Sequence, residues 1–210
     1  LEAFRPDKEA RISVRKELGI SEDALLLGMV ARFDPQKDHA AFVRAAKKLT
    51  GSGVNGYFVL CGKDVDWENH HFFIWIPKAG LANRFFLLGP RTDIPRLTAA
   101  VDIACLSSAF GEGFPNILGE AMACGVPCVA TDIGDSAAIV GNTGRIVPAK
   151  NPQAFAAACK ELVDTGPEKR GQLGQAARKR VKDQFELSKI IEEYQQLYQF
   201  IGHKKPEIRV

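Results

Sequence analysis

Between Ser107 and Asn116 the chain runs Ser-Ser-Ala-Phe-Gly-Glu-Gly-Phe-Pro-Asn, so glycines flank the carboxylate of Glu112 and a helical pattern opens at once. Gly111 and Gly113 let backbone approach a ligand closely. The free N–H groups at the start of a helix, with the positive end of its dipole, suit a diphosphate. Glu120 follows Asn116 by four residues, which puts both on one helix face near its N-terminus. Glu112 and Glu120 then project from loop and helix toward one cleft. Carboxylates are poor ligands for phosphate and good acceptors for sugar hydroxyls. A second loop, Ala31-Arg32-Phe33-Asp34-Pro35-Gln36-Lys37, carries two cations on either side of a turn, Arg32 and Lys37, with the reach to clamp a diphosphate. On residue types alone plainer readings stand beside these: an exposed loop carboxylate, a glutamate favoured by the first turns of a helix, and a solvated turn.

The elements around these loops decide where they lie. Short apolar runs at 25–30, 56–61, 85–88, 101–106, 127–130 and 144–147 have the length and composition of buried strands. Helical patterns follow them at 38–49 (Asp38 as N-cap), at 66–81 (interrupted at Pro77), and at 94–99, 115–124 and 136–140. Helix then continues from 152 to 201, punctuated near Gly166-Pro167. Alternating strand and helix predicts an α/β fold: a doubly wound, Rossmann-like parallel sheet of about six strands with helices on both faces, plus C-terminal helices. Ligands of such sheets bind at the carboxyl ends of the strands, which singles out the loops 31–37, 62–66, 89–93, 107–115 and 131–135.

Composition narrows the class further. The chain has 210 residues, 46% hydrophobic and 25% charged, which is globular rather than disordered. A net charge of +3, from 28 basic and 25 acidic residues, does not argue for a nucleic-acid partner. The densest basic cluster, Arg178-Lys179-Arg180, falls in a solvated helical stretch. Cys61, Cys105, Cys124, Cys128 and Cys159 are too few for a disulfide scaffold and lack the partners of a zinc site, so they read as buried reduced thiols. No apolar run approaches a membrane span. Two nucleotide motifs fail on context. Gly51-Ser52-Gly53-Val54-Asn55-Gly56 follows a helix and precedes a strand, the reverse of a dinucleotide fingerprint. The stretch from Gly56 to Asp64 is mis-spaced for a P-loop and ends in Asp where Ser or Thr is needed.

With these residues in view, the chain resembles the C-terminal, donor-binding domain of retaining glycosyltransferases of the GT-B fold, in family four (glycosyl transferases group 1). Glu112 and Glu120 match the family's E-x7-E motif, and Ala121 to Thr131 is similar to the run that follows it. Arg32 and Lys37 match the family's phosphate-binding pair. Leu88-Gly89-Pro90-Arg91-Thr92-Asp93-Ile94 resembles the segment beside the base, and Asn142 to Pro148 the final strand. The resemblance implies a nucleotide-diphosphate sugar donor, UDP- or GDP-linked, transfer with retention, and no obligatory metal or other cofactor. It implies Glu112, Arg32 and Lys37 as catalytic groups. Donor contacts are implied from Glu120, from the segment Gly113, Phe114, Pro115 and Asn116, and from Arg91 and Thr92, with a smaller share for Gly62 and Lys63. The family pattern divides the chain into an interdomain-linker remnant (1–12), a nucleotide-sugar-binding domain (13–185) and a C-terminal helical segment (186–210), with the N-terminal acceptor domain outside this chain. It also implies a glycan or glycolipid acceptor held by that other domain, a role in polysaccharide biosynthesis, and a cytoplasmic setting that includes the inner face of the membrane. The alternative reading is a non-catalytic nucleotide-sugar-binding or assembly module. One departure stands out: after the fifth strand the chain has Gly134-Asp135-Ser136-Ala137-Ala138 where many relatives have a double glycine followed by Pro-Glu.

Overall fold

Leu25–Val30 (β1), Gly56–Cys61 (β2), Phe85–Leu87 (β3), Ile103–Leu106 (β4), Cys128–Thr131 (β5) and Arg145–Val147 (β6) form one six-stranded sheet. Every neighbouring pair is parallel, in the order β3-β2-β1-β4-β5-β6. The computed structural model describes residues 2–203, so Leu1 and 204–210, the ends of the expected linker and helical segments, lie outside the described residues. The chain winds outward from β1 through β2 to β3, returns to β4 beside β1, and winds the other way. The strand order therefore reverses between β1 and β4, and the loops leaving their carboxyl ends flank a crevice.

Helices cover both faces: His39–Gly51 (α2), His70–Ala79 (α3) and Pro152–Asp164 (α7) on one, Lys8–Glu17 (α1), Ile94–Ala100 (α4), Asn116–Ala123 (α5), Ser136–Val140 (α6) and Gly166–Phe185 (α8) on the other. Successive strand side chains point to opposite faces. Leu27, Met29, Phe58 and Leu60 meet Phe42, Phe72, Ile76 and Phe155 in one core, while Leu26, Val59 and Cys61 meet Val14, Leu97, Leu118 and Met122 in the other. A last helix, Leu187–His203 (α9), follows α8. No helix among the described residues is long and apolar enough to cross a membrane.

Four local expectations change. Residues 8–12, within the expected linker remnant, begin α1. Its Arg15 is fully buried, donating to the carbonyls of Glu22 at 2.9 Å, Ala24 at 2.5 Å and Ala100 at 3.1 Å and to Asp102 at 2.8 Å. Pro77 does not interrupt α3: it sits in the last turn, where its missing N–H forfeits only the bond to the Phe73 carbonyl. The helix starts instead at His70, capped by Asn69, whose side chain accepts from the His71 N–H. β4 begins at Ile103 rather than 101, because the Asp102 N–H is drawn to the Leu26 carbonyl at 2.8 Å. Finally, Arg178 and Arg180 are not simply solvated. Arg178 donates to the carbonyls of Ala123 and Phe4, and Arg180 to those of Ile139 and Ala138, so both tie α8 to the ends of α5 and α6.

Candidate functional site

The crevice between the β1 and β4 loops is built by side chains that stitch one loop to the other. Gln36 donates to the Gly111 carbonyl at 2.8 Å and its own carbonyl accepts from the Ala109 N–H at 2.7 Å. Ser107 donates to the carbonyls of Lys37 and Asp38 at 2.9 and 3.1 Å. At the centre, Lys37 Nζ reaches Glu112 Oε1 at 2.5 Å, and the buried Ser108 hydroxyl donates to the same oxygen at 2.5 Å. The pair is largely withdrawn from solvent, the side chains being 14% and 7% exposed. Attraction between charges strengthens where water is excluded, so each member holds the other in place.

Arg32 lies at the mouth of the same crevice. Its side chain is 59% exposed, with Nε on Asp34 at 3.1 Å and a terminal nitrogen 3.5 Å from Gln36 Oε1. Asp34 also caps the short turn Pro35–Lys37 through the Gln36 N–H, which pulls its carboxyl below the usual range and fixes where Lys37 emerges. α5 opens directly from the glycine loop with no side-chain cap. Its first N–H groups are therefore unclaimed by any side-chain cap. Pro115, buried, brings no N–H, leaving the amides of Phe114 and Asn116 as the available donors there. The Phe114 ring turns away to meet Phe185 edge-on at 5.5 Å. The Glu120 carboxylate, one turn further along α5, makes no hydrogen bond or ion pair among the described residues, and partial burial raises its pKa above the ordinary value.

The loop at 131–135 buttresses this arrangement. Gly134 has φ +57°, and a Cβ there would lie 2.2 Å from the Glu112 carbonyl and 2.5 Å from that of Gly113. Asp135 N–H donates to the Gly113 carbonyl at 2.9 Å, and Thr131 Oγ1 to that of Ser108 at 2.7 Å. The unusual Gly-Asp-Ser sequence thus supports the glycine loop from behind.

The remaining expected residues are placed differently. Arg91 is committed to carboxylates: two bonds of 2.7 Å to Asp93 and one of 2.5 Å to Glu17 on α1, which hold Asp93 well below the usual carboxylate range. Thr92 beside it is exposed. Gly62 lets β2 end against β1, since a Cβ there would lie 2.2 Å from the Ala31 carbonyl; its N–H donates to Gly89. Lys63 is exposed, and its carbonyl accepts from Phe33. The structure therefore brings Arg32, Lys37, Glu112 and the start of α5 together, and leaves Arg91 in a separate charged cluster. Ser108, Gln36 and Thr131 escaped the sequence reading: nothing in residue type separates Ser108 from Ser107, and only the crossing of two loops gives them partners. All five cysteines are free and buried. Among the described residues no group of three or more His, Cys, Asp or Glu is placed to hold a metal ion.

Residues 10–180 match the family model described as glycosyl transferases group 1. The UDP-Gal:alpha-D-GlcNAc-diphosphoundecaprenol alpha-1,3-galactosyltransferase of Escherichia coli is 32% identical over 144 residues, covering 68% of this chain and 37% of that protein. The N-acetyl-alpha-D-glucosaminyl L-malate synthase of Bacillus anthracis is 28% identical over 193 residues, covering 91% and 49%. Anabaena Alr3699/HepE, crystallised in complex with UDP, superposes with a TM-score of 0.84 at 23% identity, over 94% of this chain and 54% of that one. The chain spans half or less of the length of these curated relatives.

Proposed function

The chain belongs to the group 1 glycosyltransferases, and from that premise we propose that it supplies the donor-binding half of an enzyme that moves a sugar from a nucleotide diphosphate to an acceptor with retention at the anomeric carbon. One observation carries the reading: Lys37, Arg32, Glu112 and the uncapped start of α5 meet where the strand order reverses. In this reading the diphosphate sits between the two cations and the amides of Phe114 and Asn116. Charge that develops on the leaving phosphate is met by Lys37 and Arg32, the role a divalent ion plays elsewhere. Lys37 must turn from Glu112 toward the phosphate, and Glu112, still held by Ser108, is freed to accept hydroxyls of the donor sugar. Glu120, with no protein partner, takes the ribose hydroxyls. Strands lie about 4.8 Å apart, so the loop after β3 is roughly 10 Å from that after β1, a nucleoside's reach from the diphosphate. Because the Arg91 guanidinium is already taken, that segment meets the base through its backbone and Thr92, with Gly62 and Lys63 along the way.

The acceptor, a glycan or glycolipid, falls to a partner domain beyond this chain, and the setting follows from it: polysaccharide assembly in the cytoplasm or at the inner membrane face. Isothermal titration with UDP, GDP and their sugars tests the core of this reading. Saturable heat with one nucleotide family is expected, lost in Lys37→Ala. No heat with either family at millimolar concentration overturns it. Binding without turnover in the full-length protein selects the non-catalytic module instead.

A further inference from the structure

Away from the crevice, the outer surface of the α2–α3 layer has features that donor binding does not use. Phe73 and Ile74 are consecutive on α3, 64% and 43% exposed, and Lys78 lies one turn beyond Ile74 on the same stripe. Beside them Ala40, Val43 and Trp75 floor a groove of about 270 Å³ whose rim is Arg44, Lys47 and Lys78. Together α2 and α3 contain Arg44, Lys47, Lys48 and Lys78 and no Asp or Glu, in a chain whose 28 basic residues are almost balanced by 25 acidic ones. Of the carboxylates at the helix heads, Glu68 before α3 is exposed, while Asp38 and Asp66 are engaged locally. Asp38 caps α2 through Ala41 and lies 3.7 Å from Arg44, and Asp66 accepts from the N–H groups of Glu68 and Asn69.

We propose that this face docks on an anionic lipid surface, with Phe73 and Ile74 entering the boundary between headgroups and acyl chains while Arg44, Lys47, Lys48 and Lys78 take the lipid phosphates. Exposed apolar side chains on a helix layer that also carries long cations, their charge kept in water, are the chemistry of an interfacial surface. A cluster of cations without carboxylates is drawn to the negative surface potential of an anionic leaflet. A second copy of the chain fits worse, because two-fold pairing would set the same four cations against themselves. The inference goes beyond the donor reading: none of Lys37, Ser108 or Glu112 belongs to this face.

Co-sedimentation of the full-length protein with phosphatidylcholine vesicles, with and without about one-third phosphatidylglycerol, tests it. The bound fraction should rise several-fold with the anionic lipid and fall at high salt. Phe73→Ser/Ile74→Ser and Lys47→Glu/Lys78→Glu should each bring it down to the neutral-vesicle level, with UDP binding and thermal midpoint unchanged. Equal binding to both vesicle types, or wild-type binding by these variants, overturns the proposal. So does a dimer, seen by sedimentation velocity, that Phe73→Ser/Ile74→Ser abolishes in the absence of any vesicle binding.

Discussion

At the scale of single residues, the Lys37–Glu112–Ser108 cluster is scaffold and, in the proposed reading, also site, and substitution should separate the two roles. Lys37→Ala removes the partner of a carboxylate only 7% exposed. Breaking a buried pair from one side costs about 3–5 kcal/mol, and the hydrogen bond that Ser108 still gives Glu112 brings the expectation to about 2 kcal/mol. Because Lys37 also meets the diphosphate in the proposed site, UDP affinity should fall at least about tenfold, equivalent to ~1.4 kcal/mol. Ser108→Ala makes the contrasting variant. It deletes one hydrogen bond to Glu112, worth about 1 kcal/mol, and touches no phosphate. Its melting point should drop modestly while UDP affinity stays within about threefold, under ~1 kcal/mol. Differential scanning fluorimetry and calorimetry on both variants give the comparison, and equal losses of UDP affinity in the two would remove the distinction.

At the scale of elements, what could be read from the sequence and what could not divide along physical lines. The six strands announce themselves because most are short apolar runs buried on both faces, so their existence and succession along the chain emerge from composition, whereas their order in the sheet and edges such as the start of β4 at Ile103 do not. α1 does not, because the face it buries includes Arg15, whose charge is satisfied by carbonyls and an aspartate up to 87 residues distant in sequence. Asp102 is likewise an ordinary loop residue until it receives Arg11, Arg15 and the Leu26 N–H. The site divides in the same way. Glu112, Lys37 and Arg32 stand out once the family's motifs are laid on the sequence, whereas the loop-to-loop bonds of Gln36 and Thr131 depend on where strands stop. Two predictions belong here. Asp102→Ala strands the buried Arg15 guanidinium and should cost about 3–5 kcal/mol, seen as a large shift in the urea midpoint. Gly134→Ala drives a Cβ to 2.2 Å from the Glu112 carbonyl at a left-handed φ, so the glycine loop must move. It should lower stability by about 2 kcal/mol or more and weaken UDP binding together with it. Wild-type binding in Gly134→Ala would show that the 131–135 loop does not set the position of Glu112.

At the scale of the whole molecule, one buried group makes global stability depend on pH. His39 is 2% exposed between Phe33 and Phe72, with neither ring nitrogen in good hydrogen-bond geometry. Burial, helped by the charge of Lys37 and opposed by that of Asp34, pushes its pKa down from 6.5 to about 4. The folded chain therefore keeps His39 neutral where the unfolded chain has already taken up a proton. Stability is unaffected above the unfolded value, declines as pH falls from 6.5 toward 4, and levels off once both states are protonated. A shift of this size corresponds to about 3 kcal/mol across that window. Urea unfolding at about pH 7.5 and about pH 4.5 should show that loss in the wild type. His39→Asn, less stable at neutral pH, should show a pH slope shallower by a similar amount. Parallel slopes in the two proteins would mean that other groups, such as the carboxylates of Asp93 and Glu17 paired with Arg91, govern the acid response instead.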